Sequence, residues 1–126
     1  MTQQAEARRF AGAVFDLVDA MDAEGFGALF APTGVFAFAN WPEQTGPGAI
    51  AKVVAGFFGT IRALRHQVQE VWRMGETDIC RLRVTYTRQD GGTLSLPCAN
   101  IWRRGEDGRF DDYRIYIDLA PLFAPG

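Results

Sequence analysis

Near residue 65 the spacing of apolar residues changes its period, and that change limits the fold more than any other feature of the chain. Before it, Phe10, Val14, Leu17, Val18 and Met21 recur at three- and four-residue steps, which predicts an amphipathic helix over residues 5–22. Phe26, Leu29 and Phe30 predict a short second helix closed by Ala31-Pro32, and Val35 to Ala39 reads as a short aromatic strand. Residues 40–48 carry turn chemistry, and Pro47 suits the first turn of a third helix whose broad apolar face holds Ile50, Val53, Val54, Phe57, Phe58 and Ile61. After residue 65 the period is two. Strands are predicted at Gln67–Arg73, Ile79–Arg88, Thr93–Arg103 and Phe110–Leu119. Gln89-Asp90-Gly91-Gly92 and Gly105-Glu106-Asp107-Gly108 are hairpin signals between them. Helices followed by an antiparallel meander make an α+β pattern.

The hairpins set a register. Pairing Gln89 with Thr93 brings Val84 opposite Cys98 and Leu82 opposite Asn100; pairing Arg104 with Arg109 brings Asn100 opposite Tyr113 and Cys98 opposite Ile115. Alternation then divides the side chains into two faces. Cys80, Leu82, Val84, Tyr86, Leu96, Cys98, Asn100, Trp102, Tyr113, Ile115 and Ile117 form a mainly apolar set expected to face the helices. Arg81, Arg83, Thr85, Pro97, Ala99, Ile101, Arg114, Tyr116 and Asp118 form a mixed outer set, with Arg83 and Arg114 expected to flank Ala99. A one-residue slip would instead turn Arg81 and Arg83 inward.

Composition narrows the function classes. With 126 residues, 48% of them hydrophobic and 22% charged, the chain is expected to form one domain over 1–126. Thirteen basic against 15 acidic side chains leave a net charge of -2, and no basic run exists to follow a phosphate backbone or a membrane surface, so neither nucleic acid nor membrane is an expected partner. The N-terminus lacks a secretory pattern, and a cytoplasmic location is expected. Cys80 and Cys98 have no metal-ligand spacing, His66 is the only histidine, and no phosphate-binding loop occurs, so no metal or cofactor is expected.

Several segments carry a family resemblance. The tail from Asp112 to Phe123, the Trp102…Asp107-Gly108-Arg109-Phe110 hairpin, the His66-Gln67-Val68 strand start and the Gly46-Pro47-Gly48-Ala49-Ile50 helix entry resemble SnoaL-like members of the nuclear-transport-factor-2-like superfamily. The resemblance implies a cone: three N-terminal helices on a curved, mostly antiparallel sheet, an apolar pocket on the concave face, and often a dimer through the convex one. Aligning turns and helices with the ketosteroid isomerases of this fold puts Ala37 at the base, Val14 at the tyrosine and Asn100 at the sheet acid. Alanine cannot take a proton, which excludes that reaction in its usual form. The two acids and bridging arginine of limonene-epoxide-hydrolase-like members fall on Ile115 and near Arg83 and Arg81, so the resemblance implies no such acid pair. No inward aspartate matches the base of SnoaL-type cyclases. His66 and Tyr113 match part of the scytalone-dehydratase-like set, without an evident acid partner.

The candidate site is therefore His66 as acid/base, Asn100 as oxyanion donor and Tyr113 beside it. Val14, Phe38, Trp41, Phe57, Leu82, Val84, Cys98, Trp102, Ile115 and Ile117 are expected to line the pocket. Arg83, Arg114, Tyr116 and Asp118 are expected to mark a homodimer face. Two functions fit: an isomerase-, cyclase- or dehydratase-type enzyme acting on a small apolar or carbonyl-bearing molecule, or a non-catalytic ligand-binding or protein-association module.

Overall fold

Thr2 starts the first helix by accepting the Ala5 N–H on its hydroxyl at 3.0 Å. In the computed structural model, which describes residues 2–125, α1 runs Gln3–Asp19 and buries Ala7, Ala11, Val14 and Phe15. The helix stops earlier than its apolar stripe predicts. Met21 adopts a left-handed backbone (φ 58), its N–H donates to the Val18 carbonyl and the Asp22 N–H to that of Leu17, a paired closure that glycine usually provides. Asp22 then caps α2 (Ala23–Gly27) by accepting the Gly25 N–H. A Cβ at Gly27 would stand 2.7 Å from the Pro47 carbonyl, so glycine allows α2 to approach the start of α3.

The remaining elements are β1 (Phe30–Phe38), β2 (Gln44–Thr45), α3 (Pro47–Phe58), β3 (Ile61–Met74), β4 (Thr77–Arg88), β5 (Thr93–Arg104), β6 (Phe110–Tyr116) and α4 (Ala120–Phe123). They form a six-stranded sheet in the order β2-β1-β6-β5-β4-β3, antiparallel except where β1 lies parallel to β6. This is the expected α+β arrangement of three helices on a mostly antiparallel sheet. Phe30 belongs to β1, because it pairs with Phe110, rather than to a second helix. Ile61 opens β3 rather than closing α3, so His66 sits well inside that strand. Register shifts at Ile61/Ala63 and Val68/Glu70 break the period-two signal there.

The first long hairpin turns one residue earlier than expected, and the second shifts the other way, pairing Gly105 rather than Arg104 with Arg109. The Arg88 N–H donates to the Gly92 carbonyl and the Arg88 carbonyl accepts the N–H of Gly91, which sits at φ 88; the Gly105 N–H donates to the Arg109 carbonyl and the Gly105 carbonyl accepts the N–H of Gly108, at φ 81. Val84 therefore opposes Leu96, Leu82 opposes Cys98 and Cys80 opposes Asn100. A further bulge at Arg103/Arg104 makes Asn100 oppose Ile115, with Trp102 opposite Tyr113. The net displacement is two at each pairing, β4 with β5 and β5 with β6, so these strands keep their expected faces. Arg81 is exposed, not inward, and Ala99 lies between Arg81 and Tyr116 rather than between Arg83 and Arg114.

Trp102, Tyr113, Phe26, Phe30 and Phe110 are fully buried and contact one another mostly tilted or edge to face. A buried carboxylate fixes the β3–β4 end of this core. Asp78 is 1% exposed, accepts Arg73 Nε at 2.7 Å and Nη2 at 3.0 Å, and accepts the Trp102 indole N–H at 3.1 Å. The hydrogen bond to Asp78 raises the Arg73 pKa from its usual value against the opposing effect of burial. Removing the carboxylate strands both donors. Asp78→Ala is expected to cost about 3 kcal/mol in urea unfolding, whereas Asp111→Ala, which loses an exposed 3.9 Å pair with Arg103, should cost under about 1 kcal/mol.

Candidate functional site

Between the helices and the concave face of the sheet lies a cavity of about 40 Å³. Six phenylalanines (15, 26, 36, 38, 57 and 58) and two tyrosines (86 and 113) supply most of its wall, with Val18, Val54, Leu64, Val84, Cys98 and Ile115. His66 and Asn100 bring it polar side chains. All three candidate catalytic residues therefore border one hollow.

His66 is held by a residue that the sequence reading passed over. Asp19, at the last position of α1, accepts His66 Nδ1 at 2.6 Å and the His66 backbone N–H on both carboxylate oxygens at 3.1 Å. The imidazole also stacks on Phe15, with centroids 4.7 Å apart and planes 10° from parallel. With a carboxylate on Nδ1, that nitrogen carries a proton, so in the neutral ring the lone pair is on Nε2 at the far edge. Among the described residues nothing bonds Nε2, and it is not sealed from solvent-sized contact. The acid partner absent from the inward strand positions thus comes from a helix end.

Asn100 is 2% exposed. Its Oδ1 accepts the Tyr113 hydroxyl at 2.6 Å, and its Nδ2 donates to Cys98 Sγ at 3.3 Å. The amide's second N–H has no acceptor among the described residues. Tyr113 is committed to orienting Asn100, and its hydroxyl proton is not free for a ligand. Burial raises the Tyr113 pKa well above its usual value, so the hydroxyl stays a neutral donor.

The pocket expectations divide. Phe38, Phe57, Val84, Cys98 and Ile115 line the cavity. Val14 does not: it packs into the core one helical position from Phe15, which takes its place. Leu82 and Trp102 are wholly buried, and Trp102 packs against Phe10, Phe15, Phe110 and Tyr113 instead of facing open space. Trp41 lies behind the wall, against Phe38 and Phe57 at 5.0 and 5.8 Å. Ile117 is half-buried beyond the end of β6. Ala37 falls between Phe36 and Phe38, which line the cavity, so it occupies the opposite side of β1.

On the outer face, Arg114 makes a fork with Asp112 at 3.0 and 3.1 Å and reaches Glu43 at 2.7 Å. Arg83 donates to the Ser95 carbonyl, Tyr116 is 54% exposed, and Asp118 accepts the Ala120 N–H at the entry to α4. Among the described residues there is no helix long and apolar enough to cross a membrane and no cluster of three metal-ligating side chains.

A family model described as a SnoaL-like domain matches residues 11–113. The chain belongs to the SnoaL-like domain family. Solved structures show the same fold. A Catenulispora acidiphila protein with a ketosteroid-isomerase-like fold, solved with trimethylamine, is 17% identical with a TM-score of 0.80, covering 87% of this chain and 85% of that one. A Burkholderia pseudomallei NTF2-like protein of unknown function is 18% identical with a TM-score of 0.80, covering 97% and 95%. One from Exiguobacterium is 24% identical with a TM-score of 0.70, covering 82% and 93%. No curated protein matches the chain.

Both cysteines of this SnoaL-like domain are poor nucleophiles. Burial pushes the Cys98 thiol up to about 12 despite the Asn100 N–H, and burial with the Asp78 charge pushes Cys80 up to about 12. A thiol reagent near pH 8 is expected to label neither in the folded protein and both in urea. The neutral thiols contribute stability that is complete below their usual value of 9.0 and is lost as pH rises toward about 12. The urea midpoint should fall across that window, and by less in the Cys80→Ala, Cys98→Ala double variant.

Proposed function

We propose that this SnoaL-like domain binds a small, largely apolar carbonyl compound and moves a proton on it. The observation that carries the reading is His66, backed by Asp19 through Nδ1, lining the same apolar cavity as Asn100. In this reading Nε2 removes a proton from the carbon beside the carbonyl. The electron pair moves onto the carbonyl oxygen, which Asn100 stabilises as a hydrogen-bond donor. Asp19 stabilises the imidazolium that results. Returning the proton to a different carbon completes an isomerisation; giving it to a departing hydroxyl completes a dehydration. Tyr113 acts by positioning Asn100.

The cavity is small, about 40 Å³, so the probe is a short ketone, 2-butanone. Exchange of its α-hydrogens in D2O, followed by proton NMR, is expected to exceed the buffer rate and to fall about 100-fold or more in His66→Gln. Equal rates for the two proteins would overturn the assignment. The aromatic walls also suit a small alkylammonium, and the Catenulispora relative was solved with trimethylamine. Binding of trimethylamine without any exchange activity would favour the non-catalytic binding module.

The outer sheet face supports a homodimer. Trp72, Ile79 and Ile101 oppose one another across β3, β4 and β5, and Arg114 continues the row on β6. Trp72 is 45% exposed. An apolar row flanked by Arg and Tyr has the composition of an isologous interface. Sedimentation at micromolar concentration is expected to give a dimer that Ile101→Asp dissociates; a wild-type monomer would count against the face.

A further inference from the structure

A second depression lies against the first from outside. Trp41, Gln44, Lys52, Val53, Gly56 and Phe57 border an open groove of about 650 Å³ between the loop after β1 and the outer side of α3. Phe57 is the one residue that borders both the groove and the inner cavity. It stands in a partition of three rings, 4.8 Å from Phe38 and 5.8 Å from Trp41. No charged side chain belongs to that partition.

The groove has one charge. Lys52 is the only charged residue of α3, and among the described residues it has no ion pair or side-chain hydrogen bond. The acidic residue of the neighbouring loop, Glu43, is held by Arg114 at 2.7 Å. No carboxylate borders the groove. Lys52 precedes Phe57 by about 7.5 Å along the helix axis, a span that a short alkyl chain covers.

Resting on the reading of the inner cavity given above, we propose that the groove is the outer half of a two-part site, and that its ligand is an elongated amphiphile with an anionic end. The carbonyl end enters the cavity, the apolar chain lies along α3 between Trp41 and Val53, and a carboxylate pairs with Lys52. Phe57 turns aside to connect the two parts. The groove gives a long chain the contact area that the small cavity lacks.

The test compares 2-butanone, 2-decanone and 9-oxodecanoate by titration, with the ring signals of the single histidine, His66, reporting entry into the cavity. At low salt the keto acid is expected to bind about two- to fivefold more tightly than 2-decanone. That preference should vanish in Lys52→Met, which keeps the apolar stem, and at high salt. A Cβ at Gly56 would meet nothing within 4 Å, so Gly56→Leu fills the groove without strain and should weaken both ten-carbon probes more than 2-butanone. If the two ketones move the His66 signals but the carboxylate adds no affinity, or if Lys52→Met leaves its advantage intact, the outer site is wrong and the inner one stands. If none of the three moves those signals, the reading of the cavity fails, and the outer site with it.

Discussion

A strand in a half-buried sheet cannot slip by one residue without turning its apolar side to water. In β4, β5 and β6 that restriction places Leu82, Val84, Cys98, Asn100 and Tyr113 on the helix side and Arg81, Ile101 and Arg114 on the other. An amide among the inner set must be satisfied or it costs roughly 1–3 kcal/mol. Tyr113 satisfies it from the neighbouring strand, and the pair becomes a fixed polar feature of an otherwise apolar hollow. The helices close over that hollow because α1 and α3 carry matching apolar faces.

Two carboxylates tie separate elements together, and they differ in what they leave free. Asp78 takes three donors from Arg73 and Trp102, all of them ended in the core. Asp19 takes the backbone and Nδ1 of His66, a residue that lines the cavity, and leaves the ring's Nε2 without a partner among the described residues. The same kind of charge-assisted bond is structural in one place and poises a reactive nitrogen in the other. The difference lies in the acceptor's partner: an imidazole has a second nitrogen, whereas the guanidinium and indole hydrogens that Asp78 accepts come from groups with no acceptor of their own.

The fold was legible from periodicity and from the turn glycines, and the errors were local. The apolar stripe ran past the end of α1 because Met21, rather than glycine, adopts the left-handed closing conformation. The start of β3 was hidden by bulges that interrupt alternation. Both hairpin registers moved by two, and faces survive an even displacement, so Asn100, Tyr113, Val84 and Cys98 were placed correctly although their partners were not. On helices the margin is smaller. One position is about 100° of rotation, which is why Phe15 borders the cavity and Val14 does not.

Sequence alone determined the class of fold, the inner and outer faces of β4 to β6, and the presence of an amide and a tyrosine on the inner side, because these follow from spacing along one chain and from the two-residue repeat. Only the tertiary structure decided that Asp19 meets His66, that Tyr113 is tied to Asn100, and that Leu82 and Trp102 are packed solid while Phe57 divides a cavity from a groove. Those facts depend on where a helix end lands on a strand 47 positions away and on how completely aromatic rings fill the space between layers. No local pattern encodes either, since both arise from the mutual fit of distant segments.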